Sequence, residues 1–222
     1  WRGERLHLAT TLDQSRRALE AELTLRLLDD VDGERLTSQR SLALRLGIAV
    51  GLANAYLKRC VRKGWVKMRQ VPARRYTYYL TPQGFTEKSR LTAEYLSYSF
   101  AFFRNARAQC LEELEAARRS GRTNILLVGD GDLTEIATLA AREAGIRLVG
   151  VWAPGSNRAT IAGVTVLSEL PPVDAYDAVL LTDISTPQRT YDRLRQRIDD
   201  SRLLVPALLR VSRGRKDGGR RR

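Results

Sequence analysis

The chain has 222 residues but only two cysteines, one histidine and one methionine. Two cysteines, Cys60 and Cys110, cannot build a disulfide framework, and nothing argues for an oxidising compartment. The lone His7 lies in a polar segment and reads as a surface residue. No metal-ligand cluster, serine-nucleophile elbow, Walker loop or paired-carboxylate site is present, so no enzyme, cofactor or metal is expected. No apolar run approaches the roughly 20 residues a membrane span requires, and the opening WRGERLHLATTLDQ lacks a signal-peptide pattern. The chain opens on Trp1 rather than Met, so the natural N-terminus is expected to lie outside it.

Acid is missing in one place above all. From Leu36 to Thr86 there is no Asp or Glu, while Arg40, Arg45, Lys58, Arg59, Arg62, Lys63, Lys67, Arg69, Arg74 and Arg75 all fall there. The net charge of +13 comes from this block and from the end of the chain, SRGRKDGGRRR. The stretch from Gly121 to Ser201 is slightly acidic and is not expected to meet nucleic acid. A generally basic surface would intersperse its signs, whereas a confined block points to a polyanion partner.

What is present divides at about residue 120. Leu19, Leu23, Leu27 and Leu28 recur at helical spacing within Gln14–Val31, closed by Gly33. Ser38 caps a short second helix with Leu42 and Leu46 inward. A tight turn at Gly47-Ile48 leads to a third helix with Ile48, Ala53, Leu57 and Val61 on its packed face and Gly64 as its cap. WVKMRQV and YTYYL read as two strands joined by the turn PARR. Thr81-Pro82 opens a long helix to about Arg119, with Leu96, Phe100, Phe103, Cys110, Leu114 and Ala117 at alternating three- and four-residue spacing. Beyond Gly121, buried-strand runs (NILLVG, IRLVGVW, GVTVL, DAVLLT, RLLVPALL) alternate with the helices DLTEIATLAAREAG and PQRTYDRLRQRID. That alternation predicts a parallel sheet. The expected class is multi-domain α/β. Its parts are a winged helix-turn-helix over 1–81, a dimerisation helix over 82–120, a Rossmann-like domain over 121–211, and a basic disordered tail over 212–222.

Three helices followed by a hairpin is the order of a winged helix-turn-helix, and the acid-free block covers its second helix, third helix and wing. On the third helix, Val50, Asn54, Lys58, Arg59 and Arg62 are expected to face a major groove, with Asn54 and Lys58 reading bases. Arg74 and Arg75 are placed at the wing tip, and Gln39 and Arg40 at a helix start suited to phosphate. The segments LGIAVGLANAYLKRCVRKGWVK and YTYYLTPQGFTEKSRLTAEYL resemble MarR-type winged-helix regulators, in particular the group associated with exopolysaccharide gene clusters. Ala49 departs from the serine that commonly caps the recognition helix there. The resemblance implies a homodimer on double-stranded DNA. Tyr95, Tyr98, Phe100, Phe102 and Phe103, spread over more than one face of the long helix, are expected to serve that pairing.

In the second half, NILLVGDGDLTEIA places Gly129 and Gly131 between a strand and a helix, the context of a dinucleotide loop. Thr134 replaces the third glycine, and Asp130, Asp132 and Glu135 crowd the loop with charge that repels phosphate. No acid follows the second strand, where Arg158 lies instead. Residues Asn124–Leu208 resemble CoA-binding-type Rossmann domains, such as those of redox-sensing winged-helix repressors. That resemblance implies the fold and leaves the ligand open. Gly129, Gly131, Asp132, Arg158 and Asp183 are the candidate ligand residues for a small-molecule effector, should the domain bind one.

The reading is a dimeric, sequence-specific regulator of transcription, cytoplasmic and nucleoid-associated, with a sensing or assembly domain and no membrane partner. Two alternatives remain: a nucleotide-sugar- or CoA-related enzyme with a DNA-binding appendage, and a nonspecific architectural protein.

Overall fold

A computed structural model describes residues 19–33, 38–71 and 75–213. His7, the start of the first helix, the turn residues 72–74 and the basic stretch from 214 onward lie outside them. The chain divides into two compact units, Trp1–Ser99 and Phe100–Arg222.

In the first unit, α1 is described over 19–32, followed by α2 (Gln39–Leu46), α3 (Val50–Arg62), the strands β1 (Val66–Val71) and β2 (Arg75–Leu80), and the start of α4 (Pro82–Arg119). Its core gathers Leu27 and Leu28 of α1, Leu42 and Leu46 of α2, Ala53, Leu57 and Cys60 of α3, Val66, Tyr78 and Leu91. Leu19, expected inward, is exposed. Local chemistry sets the boundaries. The Ser41 N–H donates to Ser38 Oγ at 3.1 Å and the Ser38 N–H to Ser41 Oγ at 3.2 Å, which satisfies two orphan donors at the start of α2. Gly47 turns the chain at φ 65°, a left-handed conformation that suits glycine.

On α3 the packed positions are Ala53, Leu57 and Cys60, not Val61, which is exposed. The three inner positions follow a four-then-three step, and Val61 lies about 100° round from Cys60. Lys63 is the C-cap and Gly64 follows it. The Trp65 N–H donates to the Cys60 carbonyl at 3.0 Å, closing the last turn.

Thr81 welds the hairpin to α4. Its hydroxyl donates to the Gly64 carbonyl at 2.6 Å and accepts from the Gly84 N–H at 3.0 Å, and Pro82 occupies the first helical position. Gly84 is there because a Cβ would stand 2.0 Å from the Trp65 carbonyl oxygen.

In the second unit the strands are β3 (Asn124–Val128), β4 (Arg147–Trp152), β5 (Thr160–Ile161), β6 (Val164–Leu167), β7 (Ala178–Leu181) and β8 (Leu203–Leu204). They lie in the order β5-β6-β4-β3-β7-β8. All pairings are parallel except β5 with β6. The helices are α5 (Asp132–Ala144) and α6 (Pro187–Arg195). The strand expected from RLLVPALL is reduced to two residues, and α6 ends well before Asp199. Ala106, Cys110, Leu114 and Ala117 of α4 join this unit's core, so within this unit the buried stripe of the long helix begins at Ala106. Leu96, Phe100 and Phe103, expected on that stripe, are exposed. At one end of the sheet, Asp177 Oδ2 accepts from the Thr123 and Asn124 N–H groups, both at 2.8 Å. Those bonds hold its carboxyl below the usual aspartate value.

Candidate nucleic-acid interface

With Ala53, Leu57 and Cys60 inward, helical geometry puts Gly51, Ala55, Lys58 and Arg62 on the opposite ridge of α3, and all four are exposed. Val50 is exposed at the first helical position, on the same flank as Asn54. Asn54 is on the flank and half-buried, and its Oδ1 is buried with no hydrogen-bond partner. A bidentate Asn–adenine contact uses both amide atoms, so the side chain must turn before it can make one. The missing cap at Ala49 is as expected: no side chain caps α3. Its first-turn N–H groups are therefore left for solvent or an anion. On α2, Gln39 is half-buried and Arg40 exposed beside the Ser38 cap.

The cations of the acid-free block are not equally available. Arg59 pairs with Glu20 at 3.4 Å and Arg45 with Asp30 at 3.0 Å. Lys63 Nζ stands 4.8 Å over the Trp65 ring. Arg40, Lys58, Arg62, Lys67 and Arg69 have no partner among the described residues. In the hairpin, Lys67 faces Tyr79 and Arg69 faces Thr77, and Val71 pairs with Arg75 across the three-residue connection. Arg75 thus belongs to β2 rather than to the turn. Arg74 lies outside the described residues.

The second unit brings its candidate residues together at the carboxyl ends of β3, β4 and β7. Gly129 has φ 132°, and a Cβ there would stand 2.7 Å from the Asp183 amide nitrogen, so the two loops touch through backbone. Gly131 caps α5 without a side-chain bond, and Asp132 is exposed in its first turn. Thr134, at the position of the third glycine, is fully buried. Its hydroxyl lies 2.8 Å from that of Thr182, which donates to the Val128 carbonyl at 2.9 Å. Arg158 donates to Glu135 at 2.7 Å, and its other nitrogen reaches the Asp130 carbonyl at 3.4 Å. Asp183 accepts from the Ser185 and Thr186 N–H groups at 2.9 and 3.1 Å and from the Thr190 hydroxyl at 2.6 Å. Burial pushes its carboxyl up, but these donors outweigh that and leave it below the usual range. Of the three charged candidates, Arg158 and Asp183 are thus engaged within the loop cluster, while Asp132 is exposed. Among the described residues, no group of three His, Cys, Asp or Glu side chains is placed to hold a metal ion.

Residues 22–67 match a family model described as winged helix-turn-helix DNA-binding. The chain carries a winged helix-turn-helix DNA-binding domain. The match spans α1 to the first residues of β1. Among solved structures, the PcaV transcriptional regulator from Streptomyces coelicolor, in complex with its natural ligand, is 21% identical. That overlap covers 44% of this chain and 77% of PcaV, with a TM-score of 0.35. A structure of PigF with SAH is 15% identical over 82% of this chain and 67% of that one, with a TM-score of 0.26. Neither score assigns a shared overall fold. No curated protein matches the chain.

Within the winged helix, Gly51 and Ala55 went unnoticed in the sequence because they have no functional group to notice. Small size is itself the signal, since it lets a helix backbone approach a surface closely. Adding a Cβ at Gly51 meets nothing within 4 Å, so the winged helix does not need glycine there for its own packing. Lys67 and Arg69 were legible as charge, and the alternation of the strand places them on one face of the wing.

Proposed function

We propose that the protein is a sequence-specific regulator of transcription whose α3 enters the major groove of double-stranded DNA. The observation that carries this reading is the exposed ridge Gly51–Ala55–Lys58–Arg62, small at its leading end and cationic at its trailing end, beside a wing with free cations. Lys58 is the principal base-reading residue. Arg62, Arg40, Lys67 and Arg69 contact phosphate. Asn54 is secondary because its amide must first rotate. Arg59 serves once it is released from Glu20, and Arg74 and Arg75 are further phosphate contacts in this reading.

The regulator is a homodimer of the MarR type, joined through the exposed Tyr95, Tyr98, Phe100, Phe102 and Phe103 of α4. A two-fold pair would read a palindromic site. The C-terminal unit is Rossmann-like, a reading supported by the parallel order β6-β4-β3-β7-β8, which reverses direction beside β3. It serves sensing or assembly, with the crevice of Gly129, Gly131, Asp132, Arg158 and Asp183 as the place for an effector.

Selection of bound fragments from random DNA tests the central claim. A recovered motif with two half-sites, preferred over random duplex by about 10³-fold or more, supports it, and recovery of no motif makes the protein an architectural binder. On that motif, Lys58→Ala should cost about 1–3 kcal/mol and relax one position, with Asn54→Ala costing less. The opposite ranking would return the reading role to Asn54.

A further inference from the structure

Several carboxylates of the second unit are committed. Glu135 holds Arg158, Asp177 caps β3, and Asp200 accepts the Tyr191 hydroxyl at 2.6 Å with Arg195 at 3.7 Å. Arg189, Arg193 and Arg197 are exposed and have no ion pair among the described residues. Helix α6 buries Tyr191 and Leu194, and Ile198 is buried just beyond it. Arg189 and Arg193 line the opposite side one turn apart, about 6 Å along the axis, and Arg197 is exposed just past the end of the helix. Asp192 shares that side and accepts from Gln188 Nε2 at 3.0 Å.

Gln188 also fixes where the chain leaves the unit. Its Oε1 accepts from the Ser212 N–H at 2.8 Å, and its Nε2 reaches the Ser212 carbonyl at 3.3 Å. From Arg213 the sequence continues RGRKDGGRRR. The most basic stretch of the chain therefore starts at the foot of the arginine face.

We infer that the exposed face of α6 is a second contact surface, separate from the winged helix, for the phosphate backbone of duplex DNA. The side chains select the partner. An interfacial membrane helix pairs its cations with an apolar face open to lipid, and a single-strand binder interleaves aromatic rings for base stacking. The arginine side of α6 has neither, since Tyr191 is fully buried. Guanidinium groups without apolar or aromatic neighbours complement phosphate charge and read no sequence. The inference goes beyond the winged-helix reading and shares with it only the premise that the chain binds duplex DNA.

The test uses the full chain and a random-sequence duplex, with affinity followed against salt. The triple variant Arg189→Gln, Arg193→Gln, Arg197→Gln should flatten the log–log salt slope by about 2.7, since each phosphate that is no longer neutralised lowers it by about 0.9. Thermal melting should not change. The triple variant with lysine at the same positions should keep the parental slope. A slope unchanged by the glutamine variant, but lowered by Lys58→Ala with Arg62→Gln, overturns this inference and leaves the winged-helix reading standing. If neither variant moves the slope, both readings fall. Loss of binding to phosphatidylserine vesicles with duplex binding intact assigns the face to membrane and overturns it. A lysine variant as weak as the glutamine one rules out charge as the cause.

Discussion

Two helical glycines show how one residue type takes opposite roles. Helix propensity alone makes each about 0.5–1 kcal/mol worse than alanine. At Gly84 the added Cβ would stand 2.0 Å from the Trp65 carbonyl oxygen, which is backbone and cannot step aside cheaply. Steric conflict wins there, and Gly84→Ala should destabilise the first unit by about 3 kcal/mol. At Gly51 nothing lies within 4 Å, so propensity wins. Gly51→Ala should stabilise the free protein by up to about 1 kcal/mol. If α3 enters a groove on its Gly51–Ala55 ridge, that same variant should weaken DNA binding while raising the melting temperature. Melting and DNA titration of the two variants check both signs, and a Gly51→Ala protein that binds as well as the parent would remove the close-approach role of the ridge.

At the scale of elements, most boundaries were legible because they rest on local chemistry. Ser38 with Ser41, Thr81-Pro82 and the glycine after α3 each satisfy or end a hydrogen-bond ladder within a few residues, so short motifs were enough to place α2, α4 and the end of α3. What covers a face was not legible. Periodicity says which positions of α4 align, but Leu96, Phe100 and Phe103 align with buried positions and are themselves exposed. Deciding between them needs the partner surface, which sequence spacing does not encode. Cys60 and Val61 are neighbours of similar size, and only packing into the first core selects the first. That the loops carrying Gly129, Arg158 and Asp183 meet was legible from their places at the strand ends. That Thr134 spends its hydroxyl on Thr182, and Arg158 its guanidinium on Glu135, emerges only from the fold.

The exposed aromatic run of α4 carries a prediction at this same scale. Phe100 is 58% exposed and Tyr98 65% exposed, so replacing Phe100 by Glu removes little packing within the chain. If this run joins two copies, Phe100→Glu should raise the dimer dissociation constant by at least about tenfold with melting of the monomer unchanged. Sedimentation equilibrium reads the first and calorimetry the second. A variant as dimeric as the parent assigns the pairing to another surface.

For the whole molecule, the two cores each contain one thiol, Cys60 in the first and Cys110 in the second. Burial pushes the Cys60 thiol up to about 11 and the Cys110 thiol up to about 12. Neither is a thiolate at neutral pH, so reaction with a thiol reagent requires its core to open. The unfolded chain gives up these protons from about pH 8.5, before the folded chain does. Stability from each buried thiol is complete below that pH and is lost as pH rises toward the folded value, by up to about 1.4 kcal/mol per pH unit for each. Alanine at Cys60 should therefore flatten the alkaline loss of the first unit alone, and alanine at Cys110 that of the second. The same thiols report cooperativity. Two separate cores predict that Cys60 and Cys110 become reactive at different denaturant concentrations, because each core opens as its own unit. Single-cysteine proteins titrated with a thiol reagent across a urea series read this directly. Coincident labelling curves would mean that α4, which contributes Leu91 to one core and Ala106–Ala117 to the other, couples the two into a single transition.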